Sequence, residues 1–448
     1  MSSTQKILVA TWVHNGEKTI AMAIDSILNQ THQNFVHYII DNASTDGTAE
    51  IVKNYAKHDS RIKYLPREVN SCDLTLYNWV IDNINEDYDY FANLDADDEY
   101  TSDFMEKTLA FANIHDLDIA CGGAKFIDAA TKKHVETRKL PDNLLLTDAK
   151  TFQENFSDYY FYHARQIWGK IYRKSVITTL DLKSHPHSNL SHGADTIFCL
   201  AAFQVAERVG ILAEAFYMYY LSPSSLSGSI SHSRIESGDI LYEANRAFME
   251  NKFGEVTDEN QRSLYFIYLA HTFDTFGVIA GANVDLEVKL DNLYRLFSCK
   301  RVAEALACVN MEVRNQLMQP VAQWIHVQNA PEGTSNKLQK LSDLLSKLDR
   351  IISAPPNLSH LCRSGNTCDD KFFTLLSAIM TRSEEHLMLA AVQNAKALQI
   401  PIPDNYEEMC KYLKNNVEQI FNAYQNTADD NAKINFTENL ARNMFYSK

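Results

Sequence analysis

The sequence predicts an α/β fold with a mostly parallel sheet flanked by helices, followed by an all-α C-terminal region. Three observations carry that expectation. Near the start of the chain, apolar strand, polar turn and amphipathic helix repeat in turn, the pattern of a doubly wound parallel sheet. The run Phe91-Ala92-Asn93-Leu94 stops abruptly in Asp95-Ala96-Asp97-Asp98, which puts carboxylates at a strand end, where such sheets bind ligands. Beyond residue 235 almost every segment reads as amphipathic helix.

The elements follow in order. Lys6 to Val13 is a short apolar strand, and Asn15-Gly16-Glu17 then opens a helix with Ile20, Ile24, Ile27 and Leu28 on one face. Phe35 to Ile40 reads as a buried strand ending at Asp41, followed by a polar turn to Thr48 and a helix from Ala49 to Lys57. Ile62 to Leu65 and Asp118 to Ile127 are further strands, whereas Lys132 to Asn143 is expected as a polar, proline-containing loop. A helix runs from Thr196 to Val205. The division falls near residue 235, giving domains 1–235 and 236–448. In the second, patterns begin at Leu264, span Val302 to Val327, and recur over Phe372 to Leu398 and Tyr406 to Tyr424. Pro355-Pro356, Gly365 and Pro401-Ile402-Pro403 punctuate them. Leu338, Leu341, Leu345, Leu348 and Ile352 keep three-four spacing over about two heptads, which suits packing in a helical bundle or a homodimer seam.

Composition bounds the function. With 448 residues the chain is too long for one ordinary core, and 45% hydrophobic with 22% charged content describes a globular protein. A net charge of −15 argues against a broad nucleic-acid surface, so nucleic acid is not an expected partner. The eight cysteines are scattered without a Cys-x-x-Cys pair, which points to reduced thiols rather than structural zinc. The spacing of His185, His187 and His192 matches no common closed zinc site. No stretch approaches the ~18 apolar residues of a membrane span, and no secretory signal opens the chain, so the expected location is cytoplasmic.

Asp95 and Asp97 supply two hard oxygen ligands on a strand end, suited to Mg²⁺ or Mn²⁺ and hence to a diphosphate. An acidic pair alone is as compatible with a solvated turn; its neighbours decide. The segments Val9-Ala10-Thr11, Asn15-Gly16-Glu17-Lys18-Thr19-Ile20, Ala23-Ile24-Asp25-Ser26-Ile27-Leu28-Asn29-Gln30-Thr31, Ile39-Ile40-Asp41-Asn42-Ala43-Ser44-Thr45-Asp46-Gly47-Thr48 and Leu94-Asp95-Ala96-Asp97-Asp98 resemble successive blocks of the family 2 glycosyltransferases. These are nucleotide-sugar enzymes of the GT-A fold, and the order and spacing of the blocks match over about the first half of the chain.

The resemblance implies a catalytic domain over 1–235, with 236–448 left for acceptor binding or oligomerisation. It implies that Asp41 hydrogen-bonds the uracil ring of a UDP-sugar, that Thr11 lies near the nucleotide, and that Asp95 lies near ribose and metal; Arg67, following the Ile62 to Leu65 run, is a further nucleotide-side candidate or else a solvated side chain. Asp97 would coordinate the metal directly, with Asp98 in support. In His192-Gly193-Ala194-Asp195, Asp195 matches the family's general base, whereas Ala194 replaces the usual Glu, which bears on how the base is oriented. Asp195 also reads as a helix N-cap. Trp168-Gly169-Lys170-Ile171-Tyr172-Arg173 resembles a block lining the acceptor and pyrophosphate side, which makes Lys170 a donor-binding candidate. The Ser- and Gly-rich stretch Ser222 to Ser233 corresponds to a loop that closes over the donor, with His232 a candidate third metal ligand. Thr11-Trp12-Val13-His14-Asn15 departs from the family's Pro-x-Tyr-Asn.

The expected activity is inverting transfer of a hexose or N-acetylhexosamine from a UDP-sugar to a hydroxyl. A large helical region suits a macromolecular acceptor, which inclines the expectation to O-glycosylation of a protein such as flagellin. A lipid-linked or surface polysaccharide is the alternative acceptor. A catalytically impaired nucleotide-sugar-binding protein is a further alternative, motivated by Ala194.

Overall fold

The computed structural model describes residues 4–353, except 72, 183–184, 188–189, 191, 223–231, 310 and 329–331. The described chain divides into two compact units, Met1–Leu264 and Tyr265–Lys448.

The first unit is built on one mixed sheet. Its strands are β1 (Ile7–Val13), β2 (Phe35–Asn42), β3 (Ile62–Arg67), β4 (Tyr90–Asn93), β5 (Glu99–Tyr100), β6 (Ile119–Asp128), β7 (His134–Arg138), β8 (Leu144–Leu146), β9 (Lys170–Arg173) and β10 (Val209–Leu221). The order is β3-β2-β1-β4-β9-β6-β10-β5, with β7 on β6 and β8 on β10. The pairs β3-β2, β2-β1, β1-β4 and β6-β10 are parallel; β9 runs antiparallel between β4 and β6. The helices are α1 (Ile20–Leu28), α2 (Thr48–His58), α3 (Leu74–Asn83), α4 (Phe104–His115), α5 (Ala149–Glu154), α6 (Phe156–Tyr159), α7 (Lys174–Thr179), α8 (Ala194–Val205) and α9 (His232–Phe253), with one π-helical turn at Tyr160–Ala164.

The apolar face of α1 forms as its spacing requires: Ile20, Ile24 and Ile27 are fully buried, Ile20 and Ile24 in one core cluster with Val13, Ile39, Val52 and Ile62, and Ile27 in a second with Val9 and Phe35. Each such side chain contributes roughly 1.5–3 kcal/mol of transfer free energy. A second core on β1, β4 and β6 gathers Val9, Tyr90, Leu94, Phe104, Trp168, Phe216 and Tyr217. Because β1 is parallel to both neighbours, with Val13 opposite Asp41 and Ala10 opposite Asn93, the carboxyl ends of β1, β2 and β4 share one edge. The antiparallel β9 pairs Ile171 with Ala92 of β4 and its first residue, Lys170, with Cys121 of β6, which brings Lys170 to that same edge.

Two local expectations change. Residues 134–138, expected in a loop, form the edge strand β7 on β6. All five of its side chains are exposed, so no apolar alternation marks it. The carboxylates after Phe91 do not continue a strand: β4 ends at Asn93, and Asp95 to Asp98 form a turn closed by the Asp98 N–H on the Asp95 carbonyl at 3.2 Å. The first unit also retains α9, beyond the division expected near residue 235, because α9 packs on α5 and α8 and buries Leu241, Tyr242, Phe248 and Met249.

The chain continues as α10 (Asp258–Gly281), α11 (Leu286–Ser298), α12 (Lys300–Cys308), α13 (Met311–His326) and α14 (Glu332–Ser353). The single pattern expected over Val302 to Val327 is two helices, broken where Val309 turns extended at φ −91° and ψ 151°. The helix α14 packs on α11 and α12, and Leu341 and Leu348 are buried, so the leucine spacing serves the second unit's own interior. The expected helices over 372–398 and 406–424, with the prolines and Gly365 that punctuate them, lie outside the described residues. Among the described residues, no helix is long and apolar enough to cross a membrane.

Candidate active site

The shared sheet edge carries the acidic turn. Asp95 is half-buried; its carboxylate accepts from Asn93 Nδ2 at 3.0 Å, and its N–H donates to the Tyr217 hydroxyl at 3.2 Å. Burial, the Asp195 carboxylate and Asp97 together push the Asp95 carboxyl up to about 8. Asp98 is buried beneath the turn, where it accepts from the Tyr220 N–H at 2.8 Å and hydrogen-bonds Tyr217. Burial, then Asp95 and Asp97, raise its carboxyl well above the usual range. Tyr217 is fully buried and stacked on Trp168 at 4.1 Å, so the turn rests on a rigid aromatic base. Asp97 stands exposed at the tip, and its carboxylate makes no side-chain hydrogen bond among the described residues.

The structure brings Asp195 to this turn from a residue 100 positions later in the chain, as its electrostatic effect on Asp95 requires. The helix α8 begins after Gly193, which sits at φ +95° and makes no side-chain cap, so Asp195 is in the first helical turn and not the N-cap. Its Oδ1 accepts from the Tyr77 hydroxyl, and it also accepts the Ile167 N–H. Burial raises its carboxyl; the Tyr77 hydrogen bond, the Lys170 charge and the Ile167 N–H oppose that rise.

Asp41 closes the other side of the edge. Its Oδ1 accepts the Ser44 N–H at 2.9 Å, and its Oδ2 accepts from the Tyr64 hydroxyl at 2.8 Å. It is therefore a turn former as well as a carboxylate at the strand end. Arg67 donates to Asn42 Oδ1 at 2.5 Å and to Ser71 Oγ at 3.2 Å, and lies over Trp79. The loops after β1 and β2 are laced together. Asn15 Oδ1 accepts the Thr45 N–H, Gly16 N–H donates to Thr48 Oγ1, Glu17 Oε2 accepts the Gly47 N–H, and Asp46 Oδ2 accepts the Glu17 N–H. Asn15 and Ala43 both take left-handed backbone there, at φ 54° and φ 61°.

Two expected donor contacts sit elsewhere. Thr11 is fully buried, its hydroxyl 2.9 Å from His37 Nε2 on β2, so it joins the two strands inside the core. Lys170 is also fully buried, because β9 is central in the sheet; its ammonium donates to the Gln166 and Trp168 carbonyls at 2.5 and 2.9 Å. It acts on Asp195 by its charge from below the surface. His232 is the first residue of α9, and its side chain, with loop residues 223–231, lies outside the described residues. The residues that sequence reasoning missed are Tyr77 and Tyr217: the Tyr77 hydroxyl donates to the Asp195 carboxylate and the Tyr217 hydroxyl accepts the Asp95 N–H, each across more than 115 positions, a separation no local period reports.

Among the described residues, no group of three or more His, Cys, Asp or Glu side chains forms a ready metal cage. The donor set at the turn is two carboxylates, one half-buried and one open, whose charge is uncompensated enough to raise Asp95. Such a pair fits a hard divalent cation when phosphate oxygens complete the shell.

Comparison with known proteins agrees with this geometry. Residues 8–180 match the family model described as glycosyl transferase family 2. The glycosyltransferase EpsH of Bacillus subtilis (strain 168) is 29% identical over 262 residues, covering 56% of this chain and 72% of EpsH. TuaG of the same organism, whose name places it in teichuronic acid biosynthesis, is 34% identical over 105 residues, covering 23% of this chain and 41% of TuaG. In fold, S. aureus TarS superposes with a TM-score of 0.51 at 18% identity, covering 71% of this chain and 53% of TarS. The chain thus carries, over residues 8–180, a family 2 glycosyltransferase domain with the GT-A architecture that its sequence blocks predict.

Proposed function

We propose that the protein is an inverting, metal-dependent glycosyltransferase that moves a hexose or N-acetylhexosamine from a UDP-sugar to a hydroxyl group. The observation that carries the reading is the convergence of Asp195 on the Asp95-Asp98 turn, with Asp41 on the same sheet edge. Asp41 suits recognition of a nucleobase N–H, since a carboxylate whose oxygens each hold one donor still has acceptor capacity. Asp95 and Asp97 would hold Mg²⁺ or Mn²⁺ against the diphosphate, with His232 a candidate further ligand. The cation supplies Lewis acidity and neutralises charge on the departing UDP. Asp195 removes the acceptor proton as the hydroxyl attacks the anomeric carbon, on the face opposite the leaving group. Its raised carboxyl is a stronger base than an ordinary Asp.

For the acceptor, TuaG's name supports a surface glycan, whereas the protein acceptor rests on the size of residues 236–448 alone. Either acceptor would be met on the cytoplasmic side.

A panel of UDP-hexoses and UDP-N-acetylhexosamines with Mn²⁺ or Mg²⁺, scored for slow donor hydrolysis and for thermal stabilisation, tests the reading. Asp97→Ala is expected to lose cation-dependent UDP binding. Asp195→Asn is expected to keep binding and lose turnover by at least about a hundredfold, the usual scale of general-base removal. Hydrolysis by Asp195→Asn at the normal rate would remove Asp195 as the base, and a panel without any binding or turnover would sink the donor assignment.

A further inference from the structure

Asp195 is oriented by a helix that none of the family blocks contains. The Tyr77 hydroxyl, on α3, donates to Asp195 Oδ1, and the backbone N–H of Ile167 donates to the same carboxylate. The Tyr77 ring is buried and fixed from two sides: edge-on to Trp12 of β1 at 5.0 Å, and tilted on Phe198 at 5.1 Å. Phe198 lies three residues after Asp195 on α8, so the ring and the carboxylate it contacts are neighbours on one helix face. Three elements thus converge on a single phenol. Its neighbour Ala194 is buried at 3% exposure, leaving no carboxylate from that position to help hold Asp195.

We infer that Tyr77 is the positioning residue for Asp195: its hydroxyl pins one carboxylate oxygen, so that the other is presented to the attacking hydroxyl. This deepens the transferase reading and rests on Asp195 acting as its base. A carboxylate with one side-chain donor and one backbone donor has few ways to rotate, and its remaining lone pairs define the direction from which a proton can be taken. The packing of Tyr77 would be needed for stability in any case, so the hydroxyl has to be tested apart from the ring.

Tyr77→Phe removes only the hydroxyl. Donor hydrolysis, with water as the acceptor, is the readout, using the UDP-sugar that the panel turns over fastest. We expect kcat to fall about tenfold to a hundredfold, the scale of losing a hydrogen bond to a charged group. KM for the donor should stay within about twofold, because the hydroxyl contacts no donor-binding residue. In the Asp195→Asn background the same change should cost nothing further, since the group being positioned no longer acts as a base. Phe198→Leu serves as the packing control: it loosens the ring but keeps the hydroxyl, so it should lower Tm more than Tyr77→Phe and lower kcat less. Wild-type kcat in Tyr77→Phe, an equal further loss in the Asp195→Asn background, or the reverse order against Phe198→Leu each overturns the inference. If Asp195→Asn itself keeps normal turnover, the transferase base assignment fails first, and the positioning role with it; if Asp195→Asn is inactive and Tyr77→Phe is normal, only the positioning role fails.

Discussion

His37 shows how far a side chain's surroundings can set its chemistry. It is fully buried on β2, with Nε2 on Thr11 and Nδ1 without a partner, and burial holds its pKa at about 3 instead of the usual 6.5. Between those values the unfolded chain binds a proton that the folded chain refuses, so stability falls as pH drops from about 6.5 towards 3 and is complete above that window. At pH 5 the contribution lost is about 2 kcal/mol. His37→Gln cannot titrate. It should be less stable at pH 7 for lack of a fitted ring, yet lose about 2 kcal/mol less than wild type between pH 7 and pH 5 in urea unfolding. Parallel pH profiles for the two proteins would show that His37 is protonated within the fold. On the same strand, the Asp41 carboxylate takes the Ser44 N–H and the Tyr64 hydroxyl, a turn geometry compatible with the nucleobase contact proposed for it.

At the scale of elements, the parallel strands and α1 were legible because burial on both faces writes unbroken apolar runs, and burial on one face writes a clean helical stripe. The helix α3 was not. Leu74, Leu76, Tyr77, Asn78 and Val80 are all buried, so most of its circumference faces protein and no single stripe stands out. The strand β7 was illegible for the reverse reason, having no buried face at all. Of the candidate residues, the acidic turn, Asp41 and Asp195 stand out as motif residues and meet at one sheet edge, while Thr11 and Lys170 are fully buried because strand order, not local pattern, decides which side chains fall inside. Gly193 makes a sharper test of element placement. It takes φ +95° one residue before α8, and a Cβ there would meet Leu241 of α9 at 2.9 Å. Gly193→Ala should therefore destabilise by about 1–3 kcal/mol and, by shifting the helix start, reduce turnover more than donor binding. Thermal melts and kcat against KM for donor hydrolysis check both halves; unchanged kcat would separate Asp195 from the geometry of that turn.

For the whole molecule, all the candidate residues with described side chains lie in the unit Met1–Leu264. A chain ending at residue 235 would strip the buried Leu241, Tyr242, Phe248 and Met249 from α5 and α8. A fragment of residues 1–264 is expected to be monodisperse and to keep cation-dependent UDP binding, and one of residues 1–235 to aggregate, as size-exclusion chromatography and thermal shift would record. Equal behaviour of the two would mean that α9 is dispensable to the first unit. The lacing of the loops after β1 and β2 has a consequence of another kind. Because Asn15, Gly16 and Glu17 are tied backbone to side chain with Thr45, Asp46, Gly47 and Thr48, neither loop can gain or lose a residue without breaking bonds to the other. The two segments form a single inheritable part, able to diversify only in concert, and variation in what the protein accepts has to be sought elsewhere along its rim.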